Sequence, residues 1–145
     1  MLGSNIIVIN EFRKDFYSFL NNLKILASPK ETQAEWIENY GIGPWKLKNN
    51  ISITLMKLDF SLLKNDRALM EYLSTQELIE IKIAFQIIEN LLKDDIPTHT
   101  IADLDLPVLE KVRAEARNLV LNLRDAENRI IDPSMITPFM MYPFM

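Results

Sequence analysis

The segment from Ser74 to Lys93 limits the possible folds of this chain more than any other part of it. Ser74 and Glu77 have the spacing of a capping box, in which the side chain of each accepts a hydrogen bond from the backbone N–H of the other. After them, apolar residues recur at helical spacing around more than half of the helix circumference. Because such a helix needs neighbours on several sides, the sequence predicts an all-α fold built around a central buried helix at 74–93.

The first third of the chain carries two further helical patterns. Residues 10–27 place Phe and Leu at steps of three and four, with Asn10 as the candidate N-cap. Ser28 to Glu31 has the order of a second capping box, with a proline at the first helical position. Gly41 then suits the left-handed conformation that commonly ends a helix. We therefore expect helices at 10–27 and 28–40.

The segment 51–63 fits two kinds of secondary structure. Its apolar residues recur at helical spacing over the whole segment, whereas those at 51–55 also alternate as in a strand. We favour a helix here, followed by a short one at 66–73 that leads into the central helix. The predicted architecture is a compact bundle of five or six helices, and a short β pair near 6–9 and 51–55 is the less favoured alternative.

Pro107 marks the start of the last long helix. From Leu109 to Ala126 its apolar residues are spaced alternately by three and four, which is the narrow seam of a paired helix. We expect the helix at 74–93 to be its partner, with a homodimer through the Leu109–Ala126 seam as the alternative. Arg113 and the other arginines on the flank alternate with glutamates, so they are expected to form a solvated face.

The C-terminal stretch 130–145 is apolar but is interrupted by prolines at 133, 138 and 143, which exclude a regular helix or a central strand. It is predicted to form an extended strap that packs in a groove of the chain's own helices or, alternatively, against a partner. At 145 residues the whole chain, 1–145, fits a single domain.

Composition excludes several classes of protein. The chain has no cysteine, which rules out disulfides, thiolate catalysis and cysteine-ligated metals. The N-terminus lacks the basic and apolar regions of a signal peptide, and no stretch reaches the roughly eighteen consecutive apolar residues of a membrane helix. We expect a soluble, cytoplasmic protein that has no membrane partner.

The net charge of −4 is concentrated in the second half of the chain. Residues 74–145 carry twelve acidic and seven basic groups, against eight acidic and nine basic groups in residues 1–73. One linker contains four aspartates and no lysine or arginine: Asp94, Asp95, Asp103 and Asp105. Such a surface repels phosphate, so the sequence argues against direct nucleic-acid binding and favours a basic protein as partner.

The sequence contains no recognisable motif for catalysis or cofactor binding. His99 is the only histidine, no Gly-x-Ser-x-Gly elbow is present, and Pro44 spoils the phosphate loop that Gly41 and Gly43 could otherwise begin. The aspartates around His99 could hold a hard cation, but they are better explained as solvated linker residues and helix caps. We therefore expect no catalytic residue, no metal site and no cofactor.

These observations favour a non-enzymatic protein-binding module. A small acidic scaffold is comparable in composition with inhibitors or neutralising partners of basic proteins, such as immunity proteins and antitoxins. The residues expected to contact the partner are mostly acidic: Trp45, Glu71, Glu77, Glu80, Asp94, Asp95, His99, Asp103 and Asp105. Two other hypotheses stay open. One is a self-assembling scaffold subunit that uses the seam or the C-terminal strap, and the other is a small-ligand or metal-dependent enzyme with a site near His99.

Overall fold

The computed structural model describes residues 2–93 and 100–131, and their regular structure is entirely helical. The helices are α1 Leu2–Leu26, α2 Lys30–Tyr40, α3 Pro44–Leu69, α4 Thr75–Leu91, a short 3-10 helix Ile101–Asp105, α5 Pro107–Asn122 and α6 Arg124–Ile130. The all-α prediction is thereby confirmed, and 51–63 is helical as favoured. Both segments of the alternative β pair, 6–9 and 51–55, lie in helices. The predicted strap, apart from its first two residues, lies outside the described residues, as does the segment 94–99.

Two predicted helix ends are confirmed by their hydrogen bonds. The Ser74 hydroxyl accepts a hydrogen bond from the Glu77 N–H at 3.1 Å, and the Glu77 carboxylate accepts one from the Ser74 N–H at 3.0 Å. Gly41 ends α2 with a φ of 66°, and its N–H donates to the Ile37 carbonyl. These local contacts fix the residue at which α4 begins and the residue at which α2 ends.

Two predicted helix starts are wrong. α1 begins at Leu2, so Asn10 lies inside the helix rather than at its N-cap. The Ser28 hydroxyl makes no cap for α2 and instead donates to the Lys24 carbonyl at 2.8 Å. A serine between two helices can satisfy the orphan backbone groups of either one, and here it satisfies the end of α1.

The four long helices form a closed ring of neighbours. α1 packs against α3, α3 against α4, α4 against α5, and α5 against α1. The first pair is antiparallel, because Asn22 lies beside Asn50 whereas Arg13 lies over the ring of Tyr72, which follows α3. The ring therefore begins with two long helices that run in opposite directions.

The next pair, α3 and α4, is antiparallel as well. The Lys48 ammonium donates to the Leu92 carbonyl at 2.9 Å, and the Lys82 ammonium pairs with the Asp59 carboxylate at 2.8 Å. The start of α3 thus meets the end of α4. α2 and the 3-10 helix pack on each other at the end of the ring where α1 ends and α5 begins.

The most enclosed helix is α1, and the prediction that the helix at 74–93 is the central one is wrong. α1 contacts α2, α3 and α5, and it buries three phenylalanines completely: Phe12, Phe16 and Phe19. α4 buries only one side, and three isoleucines on its other side are exposed: Ile79, Ile83 and Ile87. Among the described helices, α4 packs mainly against α3 and α5, although its apolar arc is wider than its buried side.

α5 packs against α4, as the seam predicted, and also against α1. All six residues of the seam are buried in the core of the chain: Leu109, Val112, Ala116, Leu119, Leu123 and Ala126. The seam is covered within one chain, so it offers no exposed surface for the predicted homodimer, which stays a prediction. None of the helices in the described part of the chain has the length and the hydropathy that a membrane span requires.

Candidate functional site

The predicted partner-binding residues do not form one surface. Glu77 contacts Arg129 in α6, whereas Asp105 directly precedes α5. The sixteen residues of α5 span about 24 Å, so these two carboxylates lie at opposite ends of the ring. Three other predicted residues lie outside the described residues: Asp94, Asp95 and His99.

The acidic residues at the start of α4 are largely occupied by local contacts. Burial alone would raise the pKa of Glu77, but the Ser74 N–H and the Arg129 guanidinium hold the negative charge and lower that pKa below its usual value. Glu80 accepts a hydrogen bond from Gln76 at 3.4 Å, and Glu71 is exposed. Glu77 therefore mainly caps α4, and its negative charge is largely compensated by these contacts.

The acidic residues of the 3-10 helix lie in a different part of the molecule. Asp103 accepts hydrogen bonds from the backbone N–H and the hydroxyl of Thr100, at 3.0 and 2.9 Å. Asp105 pairs with the exposed Lys30 ammonium at 2.9 Å, and this hydrogen bond is the main reason that the pKa of Lys30 is raised. Asp105 thus joins the 3-10 helix to the start of α2.

The charged residues on the side of α2 that faces away from the core are carboxylates. Glu31, Glu35 and Glu38 are exposed and lie on the side opposite the buried Gln33 and Trp36. Lys30 is the sole basic residue of this helix. Like charges at these spacings repel each other by about 0.2–0.5 kcal/mol per pair, and an anion in the last turn of a helix faces the negative end of its dipole. Glu31 in the first turn suits the helix dipole, but Glu35 and Glu38 oppose the stability of the later part of α2, and such a local conflict is a common sign of a functional surface.

We call the exposed carboxylates around α2 the acidic end, and it consists of Glu31, Glu35, Glu38, Asp105 and Glu110. Sequence reasoning found only Asp105 among them, because α2 lies in the half of the chain that is nearly neutral. The i, i+4, i+7 spacing of the three glutamates was the signal that could have found the others.

A buried arginine forms hydrogen bonds with the elements that carry the acidic end. Arg113 is 2% exposed, and its Nη1 donates to the Gln33 side-chain oxygen at 2.9 Å. Its Nη2 donates to the Leu104 carbonyl at 3.3 Å and to the Glu110 carboxylate at 3.2 Å. The Gln33 amide in turn donates to the Leu26 carbonyl at 2.9 Å. These bonds join α1, α2, the 3-10 helix and α5.

The position of Arg113 corrects the prediction that it belongs to a solvated face. Its partners Gln33 and Leu104 belong to other elements, so the spacing within α5 could not reveal them. Every buried side-chain nitrogen and oxygen that the structure describes has a hydrogen-bond partner. The acidic end consequently rests on a fully satisfied polar network, which holds its backbone in place.

Trp45 is half-buried rather than an exposed recognition residue. The Lys48 ammonium lies 5.6 Å from the centre of its ring, and Lys48 is itself buried where it bonds to the Leu92 carbonyl. A cation over an indole face is a favourable contact. Trp45 therefore lies at the joint between the start of α3 and the end of α4.

Among the described residues, no group of three or more histidine, aspartate or glutamate side chains is placed to share a metal ion. A hollow of about 320 Å³ between α1 and α5 is lined by Lys24, Ala27, Ser28, Arg117, Val120 and Leu121. Its lining offers cations and apolar groups but no carboxylate. The chain matches no protein-family model, no curated protein and no solved structure.

Proposed function

We propose that this chain is a non-enzymatic protein-binding module that holds a basic protein on its acidic end, as an inhibitor or neutralising partner would. One observation carries the proposal: the outer side of α2 presents Glu31, Glu35 and Glu38 without a compensating cation at helical spacing. An arrangement that destabilises its own helix is retained more easily if a partner supplies the missing positive charge.

The acidic end suits electrostatic recognition because it is preorganised. Exposed carboxylates attract a positively charged surface over about one Debye length, which is about 8 Å at physiological salt. They raise the rate of encounter more than they raise the final affinity. The rigid support from Arg113 and Gln33 means that little side-chain and backbone order has to be gained on binding.

Apolar contacts for such a partner lie next to the acidic end. Tyr40 is partly exposed at the end of α2, and its ring lies 4.6 Å from that of the buried Trp36. Ile101 is partly exposed on the 3-10 helix, which packs on α2. Aromatic and aliphatic side chains with charged residues around them are the usual composition of a protein interface.

The test compares two variants with equal changes in charge. The first is Glu31→Gln, Glu35→Gln and Glu38→Gln on α2. The control variant is Glu11→Gln, Glu71→Gln and Glu80→Gln, which removes three exposed carboxylates from α1 and from the region around the start of α4. Each tagged protein is purified from its source cells at low salt and analysed by native mass spectrometry.

We expect the wild-type chain and the control variant to retain the same basic polypeptide, and the α2 variant to lose it. Raising the salt concentration is expected to release the polypeptide from the wild-type chain. Equal retention by all three proteins, or a complex that is indifferent to salt, contradicts the proposal. The absence of any second polypeptide from the wild-type preparation contradicts it as well.

A further inference from the structure

An apolar surface runs along the outer side of α3 and α4. The residues that form it are exposed and follow helical spacing on each helix: Ile53, Met56, Phe60 and Leu63 on α3, and Ile79, Ile83 and Ile87 on α4. Leu63 is 84% exposed, Met56 is 70% exposed and Ile83 is 62% exposed. We call these seven residues the outer apolar face. Single exposed apolar residues are ordinary, but two apolar stripes on neighbouring helices indicate an interface.

The size of the outer apolar face matches the centre of a protein interface. The stripe on α3 is about 15 Å long, and two adjacent helices are together about 20 Å wide. The face therefore covers about 300 Å², which is less than the roughly 800 Å² that each partner buries in a standard complex. The remaining area can be supplied by polar residues around the face. The symmetry of the face then indicates what kind of partner fits it.

The outer apolar face is nearly symmetric about one ion pair. The Asp59 carboxylate and the Lys82 ammonium, 2.8 Å apart, lie between the two stripes. Asp59 is close to the middle of 53–63, and Lys82 is close to the middle of 79–87. The two stripes therefore extend about equally far on both sides of this pair along antiparallel helices.

Such a surface is complementary to itself. A twofold axis in the plane of the face and parallel to the helices places α3 of one copy over α4 of the other. The stripes then coincide, since both are centred on the ion pair. The same operation brings Asp59 of each copy over Lys82 of the other, so that opposite charges meet at the centre.

The surface also has a depression that can receive a projecting side chain. A groove of about 220 Å³ lies between α3 and α4, and its lining is both apolar and polar: Ser52, Leu55, Met56, Asp59, Lys82, Phe85, Gln86 and Glu89. Met56 is 70% exposed and lies at this groove. A face that offers both a projecting residue and a groove can interdigitate with a second copy of itself.

We propose that two copies of this chain associate through the outer apolar face. The acidic end lies on α2, the 3-10 helix and α5, none of which contributes to this face. The dimer consequently leaves both acidic ends uncovered. The proposal does not depend on the acidic end having a partner.

The first test measures the mass of the full chain in solution by light scattering and sedimentation over a range of concentrations. We expect twice the monomer mass of 16.9 kDa for the wild-type chain. Ile83→Glu is expected to raise the dimer Kd at least about 30-fold, the effect of a central interface residue. Leu121→Glu is the matched control, because Leu121 is 63% exposed but lies on α5, and it is expected to leave the dimer unchanged.

Circular dichroism and urea unfolding establish that both variants keep the fold, as expected for exposed positions. A wild-type chain that stays monomeric at all concentrations overturns the proposal. If the full chain is a monomer and dimerises only after residues 132–145 are removed, the face belongs to the chain's own C-terminal segment, and the proposal is again overturned. An equal effect of Ile83→Glu and Leu121→Glu also contradicts it.

The second test uses the crossed ion pairs. Asp59→Lys alone and Lys82→Asp alone each place like charges opposite one another in a homodimer. When the two variants are mixed, opposite charges meet again across the interface, so we expect native mass spectrometry to show mainly the mixed dimer. A statistical mixture of the three dimers contradicts the proposed twofold arrangement.

Discussion

Replacing Gln33 by leucine tests the buried network that joins the acidic end to the core. The substitution removes the acceptor of a hydrogen bond from the Arg113 guanidinium and the donor to the Leu26 carbonyl. A hydrogen bond to a charged group contributes about 1.5–3 kcal/mol, and a buried backbone carbonyl left without a donor costs about 1–3 kcal/mol. Because the two losses are partly shared, we expect Gln33→Leu to lower the free energy of unfolding by about 3–5 kcal/mol.

A double-mutant cycle isolates the contact between the two side chains. Arg113→Met alone leaves the Gln33 oxygen and the Leu104 carbonyl without this donor, and we expect a loss of about 2–4 kcal/mol. In the double variant no buried guanidinium remains to be satisfied. The combined loss should therefore fall short of the sum of the single losses by about 1.5–3 kcal/mol.

Urea unfolding followed by helical circular dichroism gives these values, provided that the slope m is common to all four proteins. Gln76→Leu is the matched control, since Gln76 is exposed and should change the stability by less than about 0.5 kcal/mol. A coupling energy below about 0.5 kcal/mol would show that Gln33 and Arg113 act independently. In that case the network does not hold the four elements together.

Three further outcomes follow from single residues. The folded-state pKa of Glu77 is lowered, so its contribution to stability is present above the unfolded pKa and is lost as pH falls through the folded pKa. In urea unfolding from pH 7 downwards, the free energy of unfolding of Glu77→Gln should therefore fall less steeply than that of the wild-type chain. An equal fall in both proteins contradicts this. Glu38→Gln should stabilise the chain by about 0.2–0.5 kcal/mol in thermal unfolding at low salt, with no gain if the repulsion on α2 is absent. Gly41→Ala should lower the free energy of unfolding by about 1–2 kcal/mol, because the φ of 66° disfavours any residue with a Cβ. A Cβ there would meet no atom within 4 Å, so the backbone conformation is the sole source of this loss. An unchanged stability contradicts the left-handed cap.

Several features that depend on neighbouring residues could be predicted from the sequence, although the local signals at Asn10 and Ser28 predicted wrong helix starts. The capping box of Ser74 and Glu77 involves residues three positions apart, and the end of α2 at Gly41 requires a left-handed residue. The seam of α5 was also visible, since its spacing alone fixes which side is buried. Local chemistry determines such features, and the structure confirms them.

The parts that depend on distant residues could not be predicted. Arg113 lies at the edge of the buried side of α5, but its partner Gln33 is eighty residues away in sequence. The acidic end likewise brings Asp105 next to Lys30 through a contact between two elements that are far apart in the chain. Ile83 is apolar like a core residue and yet exposed, because the pattern of a helix does not distinguish a core from an interface.

The first helix also contacts the last one, next to the place where α5 closes the ring against α1. The Arg13 guanidinium donates to the Ile130 carbonyl at 2.6 Å, across 117 positions of sequence, and Lys24 pairs with Glu127. At a translation rate of about 5–20 residues per second, α1 leaves the ribosome roughly 5–20 s before α6. During synthesis, the side of α1 that faces α5 stays open to chaperones and to other nascent chains until α5 has been made. A pause in translation before Pro107 would prolong that interval.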